Sequence, residues 1–197
     1  MTFPTRARRL IATLAITVLI AGCVNDAPVL ASFDPSSPCN GVDSQVMKGA
    51  YPDLEALLPT SLVNVAPTSV ASGRLCSANT LGTLYGHGIH ETRFASVVWN
   101  RGGGSGIQMT IMEADGLTVA NALESYNSGA ANAPKVHSLK TTDVSVNGQA
   151  GLRLDIANDD YQQEVVVWPT GTAGRVRVLI ASNIHEADLQ VALSAFR

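Results

Sequence analysis

The chain has 197 residues, of which 46% are apolar, 15% charged and 5% aromatic, and it carries a net charge of −3 at pH 7. This length fits one domain with appendages, and the composition can bury a core, which excludes a disordered charged tail. The mixed, slightly acidic charge and the scarcity of aromatic residues argue against nucleic acid as a partner.

Arg6, Arg8 and Arg9 form a positive N-terminal region. Residues 10–21 follow as an apolar run whose only polar members are Thr13 and Thr17. The run is shorter than the roughly 20 residues a membrane-crossing helix needs, and it has the length of a secretory signal core. It ends in Ile20-Ala21-Gly22-Cys23, which resembles the lipobox of bacterial lipoprotein precursors. That resemblance implies cleavage after residue 22 and acylation of Cys23, placing the mature chain on the extracytoplasmic face of a cell membrane. Removing residues 1–22 deletes three arginines and no acid, so the charge goes from −3 to −6. A body of that charge is not drawn to an anionic bilayer by its own field, so the lipid is the expected anchor.

Two cysteines then remain, Cys39 and Cys76, in a chain exported from the reducing cytosol. A disulfide between them is expected. On the chain-entropy model, closing that loop stabilises the fold by about 4 kcal/mol. Residues 24–38 are rich in Pro, Ser, Asp and Asn and keep no apolar period. The expected organisation is a signal peptide over 1–22, a lipidated cysteine and tether over 23–45, and one domain over 46–197.

Pro52, Asp53 and Glu55 open a short helix over 52–58, with Leu54, Leu57 and Leu58 on one face and Pro59 as its stop. Residues 62–66 read as an edge strand before Pro67. Residues 70–90 stay unassigned, because Leu81, Leu84 and Tyr85 suit a helix that glycines interrupt. A strand is expected over 94–99, a glycine-rich turn over 100–106, and a half-buried strand where Ile107, Met109 and Ile111 alternate with polar residues. Val119, Ala122, Leu123 and Tyr126 fall on one helical face.

Val144 and Val146 lead into Asn147-Gly148, a two-residue hairpin signal. Strands follow at 152–156, 165–168 and 176–180. Asn183 and Glu186 resemble a helix-start box before the apolar face of Leu189, Ala192, Leu193 and Phe196. Val97-Val98-Trp99 and Val166-Val167-Trp168 lie 69 residues apart, as do Ile107/Val176, Met109/Val178 and Ile111/Ile180. The expected class is therefore α+β: an antiparallel sheet with its helices packed on one face, built from a duplicated strand–turn–strand–helix unit.

Chemistry is sparse. His87, His90 and Glu91 offer zinc donors, but their spacing and adjacent glycines suit a solvated loop. The run Gly102-Gly103-Gly104-Ser105-Gly106 precedes a strand, so it is neither a dinucleotide loop nor a nucleophile elbow. Asp155, Asp159, Asp160 and Glu164 lack the order of a calcium loop. No catalytic residue, metal or cofactor is assigned. Trp99 and Trp168 each end a strand before a glycine-containing turn; they either cap the core or line a partner surface. With Gly102, Gly103, Gly104 and Gly171 they are the candidate partner contacts.

The whole resembles small envelope lipoproteins of actinobacterial type. The expected role is a non-catalytic binding or scaffolding module held at the membrane, its partner an unidentified envelope protein or apolar ligand. The alternatives are a carrier of a lipid or other apolar envelope molecule and an envelope hydrolase.

Overall fold

The computed structural model describes residues 34, 37–39, 47–159 and 161–197. The segments expected to be the signal peptide, the lipidated Cys23 and most of the tether lie outside the described residues. Among the described residues the strands are β1 (Ser69–Leu75), β2 (Thr92–Gly102), β3 (Ser105–Glu113), β4 (Val136–Val146), β5 (Gln149–Asn158), β6 (Gln162–Pro169) and β7 (Arg175–Ser182). The helices are α1 (Pro52–Glu55), α2 (Ala78–Leu81), α3 (Thr83–Gly86), α4 (Val119–Ala131) and α5 (Glu186–Ala195). All strands join one antiparallel sheet in the order β1-β2-β3-β7-β6-β5-β4. The class is α+β. No helix among the described residues is long and apolar enough to cross a membrane.

Side chains alternate between the faces of a strand, and here both faces are covered. Ala95, Val97 and Trp99 of β2, Ile107, Met109 and Ile111 of β3, Val166 and Trp168 of β6, and Leu179 and Ala181 of β7 pack with α1 and α5. The intervening positions Met112, Val165, Val167, Val176 and Val178 pack instead with Leu84, Ala122 and Leu123 of α3 and α4. This explains why 165–168 is continuously apolar, as strands buried on both faces are. It also corrects the expectation that both long helices share one face, because α4 and α5 draw on alternate residues of the same strands.

The duplication does not carry through either. Trp99 pairs with Ile107, whereas Trp168 pairs with Arg177. The second hairpin is one residue longer at its turn, so Ile107 corresponds in register to Arg177 and not to Val176. At the 69-residue offset Met109 and Val178 lie in different cores. A one-residue slip in a period-2 element turns every side chain to the other face.

Local chemistry sets the ends of the elements. Thr118 accepts from the Asn121 N–H at 3.2 Å, and the Asn121 side chain accepts from the Thr118 N–H at 2.8 Å, a reciprocal cap that starts α4. Asn183 does not start α5. His185 is the N-cap residue, while the Asn183 side chain accepts from the Gln162 N–H at 3.0 Å and so closes β6. Asn147 and Gly148 both take positive φ, 51° and 80°, which the β4–β5 hairpin requires. Residues 62–66 are not a strand: Leu62 and Val65 exchange two backbone hydrogen bonds of 2.9 Å around a tight turn.

Candidate functional site

The antiparallel order assigns each turn to an end of the sheet. Leu75, Thr92, Glu113, Arg175 and Pro169 end or begin their strands together, and Cys76 follows Leu75. Cys39 and Cys76 sit at disulfide geometry there, with a Cα–Cα distance of 5.6 Å. The 103–104 tip lies at the opposite end, next to Asn183.

At the Cys76 end four charged residues occupy consecutive strands in one row: Arg74 pairs with Arg93, Arg93 with Glu113, and Glu113 with Arg175. They share the face that carries α1 and α5. The Glu113 carboxylate forms ion pairs with Arg93 and Arg175. Arg93 also reaches Asp53 at 3.8 Å and lies over the Tyr51 ring at 5.2 Å. Adjacent like charges such as Arg74 and Arg93 repel, and here Glu91 at 3.5 Å from Arg74 offsets that repulsion. Arg74 also donates to the backbone oxygen of Ser37, fixing the N-terminal approach to the domain.

Arg93 and Glu113 of this row line an open cleft of about 630 Å³, whose other walls include His90, Glu91, Asp115 and Thr172. Thr172 belongs to the β6–β7 turn. That turn is pinned by Gly174 at φ +73°, where a Cβ would come within 2.5 Å of the Ala114 oxygen. The Ala114 N–H donates to the Gly174 oxygen at 2.9 Å across the same approach.

The two histidines nearest the cleft are held apart. His87 pairs with Glu124 of α4 at 2.9 Å, and His90 stands edge-on to Tyr85 at 4.4 Å. Among the described residues no group of three or more His, Cys, Asp and Glu side chains could hold a metal ion. Asp155 and Glu164 come together through Arg153, which contacts Asp155 at 2.7 Å, Glu186 at 2.9 Å and Glu164 at 4.0 Å. Burial pushes the Glu164 carboxyl up; Arg153 opposes that shift, and Asp155 and Glu186 add to it. Asp159 is instead paired with His137 on β4.

The expected contact residues separate. Trp99 and Trp168 are 4% and 1% exposed, so both belong to the core and neither stands out from the surface. The Trp99 indole N–H donates to the Val65 oxygen at 3.0 Å, and Trp168 packs edge-on against Phe196 at 5.4 Å. Gly102, Gly103 and Gly104 form an exposed tip at the end away from the cleft, whereas the turn carrying Gly171 borders it. The two loops are separated by the length of β3, roughly 27 Å at about 3.4 Å per residue, so they cannot form one surface.

Sequence reading missed Arg93, Glu113 and Arg175. A signal was present: Glu113 continues the alternation of Ile107, Met109 and Ile111, so a charge falls in phase with the core at a strand end. No family model matches the chain, and no curated protein or solved structure matches it.

Proposed function

We propose that this chain is a membrane-anchored envelope lipoprotein whose domain over 46–197 acts as a non-catalytic binding or scaffolding module. The observation that carries the reading is the ordered run of arginines, apolar core, small residues and Cys23, whose resemblance to a lipobox implies a lipid anchor. The cleft fits a binding role, because its central charges are already committed to one another: Glu113 lies between Arg93 and Arg175 instead of activating a nucleophile. The turn around Gly171 is the remaining candidate contact loop.

A carrier of apolar molecules fits less well. The space between sheet and helices is filled by side chains such as Trp168, Phe196, Leu54, Ile107 and Leu154, all under 2% exposed. The 630 Å³ cleft, by contrast, has His90, Glu91, Arg93, Glu113 and Asp115 in its lining. Wild-type protein is expected in the membrane fraction with an acyl group on Cys23, and Cys23→Ala is expected to lack that group. Wild type without an acyl group would defeat the anchoring part. Turnover of an envelope substrate by the purified domain would defeat the non-catalytic part.

A further inference from the structure

On the other side of the β6–β7 turn lies a second pocket, of about 460 Å³, lined by Asn147, Gln149, Trp168, Thr170, Arg177 and Arg197. Two of these residues are arginines and none is an aspartate or glutamate. Arg177 is the residue that needs explaining. Its neighbours across the sheet are Ile111 and Trp168, and its guanidinium carbon lies 5.9 Å from the centre of the Phe196 ring. Its Nη1 donates to the Pro169 oxygen at 3.1 Å, but its Nε is buried and has no hydrogen-bond partner.

No carboxylate of the described residues lies within 4.0 Å of Arg177. Arg93, Arg153 and Arg175 on the same face all have such a partner. Burial holds the Arg177 guanidinium below its ordinary value. A half-buried cation without a counter-charge is unfavourable, and so is the unpartnered, buried Gln149 Oε1 beside it. The C-terminal end of α5 approaches the pocket with its partial negative charge, but its last carbonyls are already used. Leu193 accepts from Asn147 at 3.1 Å, Ser194 from Arg197 at 3.0 Å and Ala192 from the Phe196 N–H at 3.2 Å.

We propose that this pocket binds the phosphate group of a small organic molecule, with Arg177 and Arg197 as its counter-charges and the Gln149 amide as a further contact. Two guanidinium forks arriving from different elements, β7 and the segment after α5, match a group with three or more terminal oxygens. A single fork would already saturate a planar carboxylate. The volume leaves room for more than a bare ion, so the group can enter as part of a larger molecule. An amide side chain rotates to present either its NH₂ or its oxygen, so Gln149 can donate to the phosphate. This inference stands independently of the lipid anchor.

The test is a titration of the purified full chain, labelled at arginine nitrogen, with inorganic phosphate, glycerol 3-phosphate, glycerophosphoglycerol and acetate, read at the Arg Nε–H resonances. A saturable shift of the Arg177 signal with phosphate, at least about tenfold weaker in Arg197→Met, is expected. Arg177→Met, read by calorimetry, should lose affinity to the same degree or more. Glycerol 3-phosphate binding more tightly than the diester would identify a soluble phosphomonoester. The reverse order would identify the headgroup of an anionic lipid. The proposal is overturned if no phosphate compound gives a saturable shift, if acetate binds as tightly as phosphate, or if Arg197→Met and Arg177→Met both bind as wild type does.

Discussion

Glu113→Gln is the sharpest test of the charged row. The substitution keeps the size of the side chain and removes its charge, leaving Arg93 and Arg175 facing a neutral amide. The three side chains are 18%, 35% and 22% exposed, so the row is neither a surface pair nor a dry one. Exposed ion pairs contribute about 0–1 kcal/mol, and breaking a fully buried one costs about 3–5 kcal/mol. An intermediate loss of about 2 kcal/mol is expected. With a urea slope near 2 kcal/mol/M, typical of a small domain, the midpoint should fall by about 1 M.

The thermal midpoint should fall by about 4–8 °C. Arg175→Met in the Glu113→Gln background should cost much less than it does in wild type, because the partner charge has already gone. A shift below about 0.5 kcal/mol for Glu113→Gln, or strictly additive effects in the cycle, would show that the row is not electrostatically coupled.

Other substitutions probe separate features. Gly174→Ala adds a Cβ that would meet the Ala114 oxygen at 2.5 Å, at a φ of +73°. It should cost about 1–3 kcal/mol by denaturant unfolding and move the backbone signals of residues 114–115. Replacing both Cys39 and Cys76 with Ser should lower stability by up to about 4 kcal/mol, and adding reductant to wild type should reproduce most of that loss. Two carboxyls on the face that carries α5 should respond to pH in opposite senses. Glu164 is held above its ordinary value by burial, so the protonated form is the better fit in the fold. Its contribution is therefore present at acid pH and is lost as pH rises through the shifted value. Glu164→Gln should accordingly stabilise at neutral pH and have little effect in acid. Glu186 is held below its ordinary value, first by the hydrogen bond from Gln190 and also by Arg153. Its contribution is present at neutral pH and lost on acidification, so Glu186→Gln should destabilise at neutral pH only, as read by unfolding curves from pH 3 to 7.

Period-2 patterning located the strands around Met109, Leu154 and Val178, apolar runs beside turn residues located those around Val97 and Val166, and period-3.6 patterning located α4 and α5. Periodicity reports which residues of an element are buried, not which side of a sheet buries them. With both faces of β3, β6 and β7 apolar, nothing local distinguished the α4 side from the α5 side. Most of β4 ahead of Val144 escaped for the converse reason: it is an edge strand whose side chains are mostly exposed, so Lys140, Thr141, Thr142 and Asp143 show no apolar alternation. The expected helix over 52–58 shortens to Pro52–Glu55, while Leu58 still reaches the core from the turn that follows. Arg93, Glu113 and Arg175 come from three strands, and only the register brings them into one row. The separation of the two glycine-containing turns was equally hidden, because strand polarity depends on how the two hairpins dock through β3 and β7.

The cysteine bridge has a mechanical consequence. A pull on the chain from the N-terminal side reaches Cys39 and passes covalently to Cys76, bypassing everything between them. The bypassed stretch includes α1, the Met47–Ser72 bridge and the whole of β1. Tension therefore enters the sheet beyond its first strand, and the edge pairing of β1 with β2 is spared from being unzipped. Once the bridge is reduced, the same pull acts on residues 40–75 directly, and β1 becomes the first strand in line to peel. Single-molecule extension with and without reductant should show the released length appear only in the reduced protein.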